Sequence, residues 1–95
     1  MMRFDLRNDD RLQIGDTIVL HFVQKSGVRA TFQLHQDGRV SRHWLTPGQR
    51  IALPEIQSSA ELEHKTGRAA RLILDVPRPI AVRRVRSIDP IDPPN

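Results

Sequence analysis

Apolar and polar positions alternate along most of this chain. In residues 17–24, Ile18, Leu20 and Phe22 alternate with Val19, His21 and Val23. In residues 28–34, Ala30, Phe32 and Leu34 alternate with Arg29, Thr31 and Gln33. A period of two is that of a half-buried strand. Lys25-Ser26-Gly27 lies between these runs and predicts a hairpin turn, with glycine supplying a positive φ. Gln36-Asp37-Gly38 predicts a second turn into a strand at Arg39–Leu45. Thr46-Pro47-Gly48 breaks the pattern before a short strand at Arg50–Leu53. Residues 54–59 read as irregular, and three more strands are predicted at 60–65, 69–75 and 80–85. Around 58–64 a helix competes, but Glu61 and Glu63 alternating with Leu62 and His64 suit a strand better. The expected class is all-β, with little or no helix.

The pattern also repeats. Shifted by 40 positions, GVRATFQLHQDGRVSRHWL overlies GRAARLILDVPRPIAVRRV. Gly27, Ala30 and Leu34 coincide with Gly67, Ala70 and Leu74, and Phe32 and Val40 meet Leu72 and Ile80. With one residue of slippage upstream, Leu12 and Ile14 meet Ile51 and Leu53. Two β-hairpins share such alternation by chance, so a duplication is one of two readings at this point.

Charge sharpens the picture. Residues 65–86 hold seven basic side chains against one acid, Asp75, so this segment outweighs the +4 of the whole chain. A basic zone carried on strands suggests a surface built for a polyanion. Ninety-five residues allow one compact domain or two very small units sharing a core. Absence of cysteine excludes disulfides and thiolate metal sites. Without a long apolar run or a signal-like N-terminus, the expected setting is cytoplasmic, with no membrane contact. Only Phe4, Phe22, Phe32 and Trp44 are aromatic, which argues against an extended stacking platform for single strands. His21, His35, His43 and His64 lack metal-ligand spacing. No nucleophile elbow or glycine-rich phosphate loop stands out, so neither enzyme activity nor a cofactor is expected. The acidic, proline-rich end at 89–95 reads as a disordered tail.

On these residues the chain resembles the carbon storage regulator (CsrA/RsmA) family of small RNA-binding translational regulators. In the second half the likeness runs through GQRIAL from Gly48, the turn at Gly67, ARLILDVP (residues 70–77) and IAVRR (residues 80–84). In the first half, Arg11-Leu12-Gln13-Ile14-Gly15-Asp16 resembles the family's apolar-x-Ile-Gly-Asp segment, and Gly27 falls on the turn glycine. Departures are Val76 for an alanine, Asp5 and Leu6 for a threonine and an arginine, and Trp44 at the position of the terminal arginine. The family forms an intertwined dimer of five-stranded chains. The resemblance therefore implies a single domain over residues 1–88, built of two repeats (about 1–46 and 47–88) that fold as one such pseudo-dimer. Chain is short for this. Residues 40–45 would serve both repeats, giving about nine strands, or two chains would associate.

The resemblance also implies a function and a site. It implies binding of GGA-containing hairpins in mRNA leaders or small RNAs, where the first strand of one unit lies near the last strand of the other. Carried over residue by residue, the contacts are Phe4 and Arg7 on the first strand, the stiff Val76-Pro77-Arg78 loop, and Arg83 and Arg84 on the last strand. Guanidinium forks suit phosphate oxygens and the O6/N7 edge of guanine. Against this stands the plainer reading that these arginines solvate an edge strand and that Phe4 packs. Asp5 beside a phosphate is repulsive. Trp44 reads as core or as an interface anchor, with base stacking the lesser reading. Two other functions stay open. One is a degenerate paralogue that binds a true family member, or itself as a homodimer; the other is a plain β-barrel interaction module.

Overall fold

The computed structural model describes residues 1–77 and 79–85. Arg78 and the tail expected at 89–95 lie outside them. The fold is all-β and antiparallel, and the described residues form nine strands in two sheets. The strands are β1 (Met2–Leu6), β2 (Arg11–Ile14), β3 (Ile18–Ser26), β4 (Arg29–Gln36), β5 (Arg39–Leu45), β6 (Arg50–Leu53), β7 (Ser58–Glu63), β8 (Ala70–Leu74) and β9 (Val82–Val85). One sheet has the order β1-β8-β7-β6 and the other β5-β4-β3-β2-β9. No described helix is long and apolar enough to cross a membrane.

The alternation in sequence becomes the division between core and solvent. Leu12, Ile14, Ile18, Leu20, Phe22, Phe32 and Leu34 from the five-stranded sheet are buried. They meet Leu6, Ile51, Leu53, Leu62, Leu72 and Leu74 from the four-stranded sheet in a single core. Phe22 and Phe32 face each other across β3 and β4 with ring centroids 5.4 Å apart. The period-two register fixes this choice, because a slip of one residue would turn every core side chain outward.

Two sets of pairings repeat at a spacing of 40. Leu20 opposite Leu34 and Phe22 opposite Phe32 correspond to Ala60 opposite Leu74 and Leu62 opposite Leu72. The turns entering β2 and β6 repeat as well. Asp10 N–H donates to the Arg7 carbonyl while the Asp10 carboxylate accepts from Arg7 N–H, each at 2.9 Å. At 46–49, Gln49 N–H donates to the Thr46 carbonyl at 3.0 Å and the Gln49 side chain accepts from Thr46 N–H at 2.9 Å. Asp9 and Gly48 hold the left-handed position of each turn, with φ of 69° and 93°.

β5 is therefore the counterpart of β1. β1 lies against β8, and β5 lies against β4. This corrects the expected alignment of Val40 with Ile80 and of Trp44 with the terminal arginine. Trp44 lies opposite Thr31 on β4, whereas Arg84 lies opposite Leu12 on β2. The turns explain the difference. Asp37 and Gly38 both have positive φ (54° and 71°), as a two-residue hairpin requires, and that turn folds β5 back onto β4. Residues 75–81 form a longer link, in which Ile80 N–H donates to the Pro77 carbonyl, and the chain crosses to the other sheet. β9 thus starts two residues later than the predicted strand. Among the described residues, β6 has no strand on its outer side, where β2 has β9.

Candidate nucleic-acid interface

β1 ends one sheet and β9 ends the other, and the two edge strands meet at one corner of the molecule. Antiparallel pairing puts Arg84 on the same side of the sheet as Leu12, which is buried, so its side chain turns inward toward the open edge. There the guanidinium lies over the Phe4 ring, 5.8 Å from its centroid. Phe4 itself is half-buried and packs against the core. The ring thus packs on one side and holds a cation on the other.

Asp5 points to the opposite side of β1, and its charge is answered there. Arg71 Nε donates to Asp5 Oδ1 at 2.8 Å and Arg71 Nη2 to Oδ2 at 3.3 Å, while Lys65 Nζ stands 3.9 Å away. The Arg71 hydrogen bond, with the charges of Arg71, Lys65 and Arg84, holds the Asp5 carboxyl below its ordinary value of 3.8. The repulsion expected of Asp5 toward phosphate is thereby offset by its neighbours. Arg7 follows directly after β1 and lines a cleft with Asn8, Arg68 and Ala69. Around the corner lie Arg84, Arg71, Lys65, Arg68 and Arg7, with Asp5 and, opposite Arg71, Glu63 as carboxylates.

Among the sequence-derived site residues, Phe4 and Arg84 come together, and Arg7 lies farther along the same edge. Val76 is half-buried against the core and Pro77 is exposed in the link before β9. Arg78 lies outside the described residues. Arg83 is exposed on the other face of β9, opposite Gln13. Trp44 is 52% exposed, which removes the reading that placed it in the core. Lys65, Arg68 and Arg71 were legible as part of the basic zone but not as neighbours of β1. Only the pairing of Asp5 with Arg71 brings them there.

Symmetry offers a second corner, and it is built differently. The counterpart of Phe4 is His43, since Phe4 lies opposite Leu72 and His43 opposite Phe32. Among the described residues, no strand beside β6 brings an arginine to it. Among the described residues, no three His, Cys, Asp or Glu side chains gather to hold a metal ion. The chain matches no protein-family model, no curated protein and no solved structure.

Proposed function

We propose that this protein is an RNA-binding post-transcriptional regulator that takes GGA-containing hairpins at the β1/β9 corner, acting in the cytoplasm and without a cofactor. The observation that carries this reading is the Arg84–Phe4 contact between two open strand edges. No described strand pairs with the outer edge of β1 or β9, so their backbone groups would offer donors and acceptors for base edges. The surrounding arginines supply phosphate contacts, which set affinity, while edge contacts set sequence preference. The arrangement also agrees with the site implied by the family resemblance, where a first strand meets a last strand. Repression would follow from occupancy, with RNA held across a ribosome-binding region excluding the ribosome. A single corner per chain binds one element and does not bridge two.

Titration of a GGA hairpin and a scrambled hairpin at two salt concentrations tests this. GGA should bind more tightly, and log affinity should fall linearly with log salt as counterions are released. Arg84→Ala should cost about 1–3 kcal/mol on the GGA hairpin only. Equal affinity for both hairpins would refute sequence-specific recognition. A second reading, contact with another β-protein, is favoured by the open outer edge of β6. Tight association with a carbon storage regulator protein, in the absence of RNA binding, would support it instead.

A further inference from the structure

The outward faces of the two sheets have opposite electrostatic character. On the four-stranded sheet, cations and carboxylates are matched. Arg3 pairs with Glu63 at 3.4 Å, Arg50 with Glu61 at 3.0 Å and Arg71 with Asp5 at 2.8 Å. On the five-stranded sheet, Arg11, Arg42 and Arg83 point outward. The pairings fix this: Arg83 stands opposite outward-facing Gln13, Arg11 opposite His21, and Arg42 opposite Gln33. None of the three has a carboxylate partner among the described residues. Asp9, the carboxylate at this margin, is engaged by His21 at 3.1 Å.

This face also has one ring. Trp44 lies on the same side of β5 as Arg42, two residues on, and is half-exposed. Arg83 on β9 and Arg42 on β5 lie four strand spacings apart, roughly 19 Å at the usual inter-strand distance. Arg11 falls between them, and the Gln33 amide faces the same way, while the Gln13 Nε2 donates to the carbonyls of Gly15 and Ile18. The face thus offers a stacking surface at one end, the Gln33 amide, and cations spaced across its width. Matched charge on the other sheet shows that this imbalance is a property of one face and not of the chain's net charge.

We propose that the outward face of the five-stranded sheet is a second nucleic-acid site, one that holds unstructured single-stranded RNA. One base stacks on Trp44, and Arg42, Arg11 and Arg83 follow the phosphates. Stacking accepts any base because every base has a π-face, so this site has little sequence preference. It stands apart from the β1/β9 corner. Arg84 points to the other side of β9, and Trp44 lies on the far edge strand.

Trp44 is the only tryptophan, and the chain has no tyrosine, so its fluorescence reports this face alone. Titration with a short oligouridylate lacking GGA should quench it in the wild type and equally in Arg84→Ala. Replacing Arg11 and Arg42 together by Gln should weaken quenching and reduce the log–log salt slope by about 0.7 for each phosphate no longer neutralised. Trp44→Phe should retain partial binding when a labelled oligonucleotide is followed by anisotropy. Absence of quenching, with Arg84-dependent hairpin binding intact, would overturn this site and leave the corner standing. Quenching abolished by Arg84→Ala would also overturn it, as would equal quenching by an acidic peptide, which would mark a face for polyanions in general.

Discussion

Arg84 and Asp5 stand on the edge strands of different sheets and have different partners. Arg84 lies over the Phe4 ring, while Asp5 is bound by Arg71 and Lys65. Phe4→Leu keeps the packing against the core and removes the aromatic face. It should weaken hairpin binding while leaving the urea midpoint near that of the wild type, which separates a binding role from a packing role. Asp5 also has a pH signature. Its folded-state pKa is lowered from 3.8, first by the Arg71 hydrogen bond. The unfolded chain therefore takes up this proton more readily. The pairing contributes stability above the ordinary aspartate value, and that contribution is lost as pH falls through the folded value. Asp5→Asn should show a shallower loss of stability over that acid range, read as urea midpoint against pH. The arginines at this corner were legible as a charge cluster, because composition along a segment survives folding. Their arrangement around Asp5 was not, because that depends on β1 lying beside β8, 66 residues away in sequence for the Asp5–Arg71 pair.

At the scale of elements, the strands themselves follow from local pattern. Arg39–Leu45 and Arg50–Leu53 form where alternation predicts them, and the segment around 58–64 is strand β7. Three features depart from the pattern. β2, four residues long like β6, is legible through its match to Ile51 and Leu53 and not through its own alternation. Within the stretch expected to be irregular, Pro54–Ile56 form one 3-10 turn and β7 begins at Ser58. The partner of β5 is set by the turn at Asp37-Gly38 and not by its likeness to residues 80–85. One side chain then ties the two hairpins together. Lys25 Nζ donates to the carbonyls of Lys65 and Ala69, both at 2.7 Å. Hydrogen bonds from a charged donor contribute about 1.5–3 kcal/mol. Lys25→Met should lower unfolding free energy by roughly that amount for the pair together, measured by urea denaturation, without altering the RNA affinity of the β1/β9 corner. Pro54 follows β6 directly and has no N–H to offer an incoming strand, and Arg50 marks the other end of the same edge. Both features limit how far another β-protein could pair along this edge, which weighs against the second reading and toward RNA.

For the whole molecule, near-symmetry with one strand fewer is the central fact. β1 through β4 and β5 through β8 repeat in register, and each first strand lies against the last strand of the other set. Both sets share one core, so a cavity in either half should destabilise both. Phe22→Ala should cost about 3–5 kcal/mol and leave a single cooperative transition, seen as coincident curves by tryptophan fluorescence and circular dichroism. The repeated pairing was half legible in sequence, since Gly27, Ala30 and Leu34 match Gly67, Ala70 and Leu74. Where the symmetry ends was not, because β9 crosses to the other sheet and, among the described residues, has no counterpart beside β6. One specific corner per chain is therefore expected. Native mass spectrometry with excess GGA hairpin tests it most directly, at salt high enough to release an unstructured oligonucleotide. One hairpin per chain, lost on Arg84→Ala, is the expected result. Two hairpins per chain, or one hairpin retained by Arg84→Ala, would contradict it.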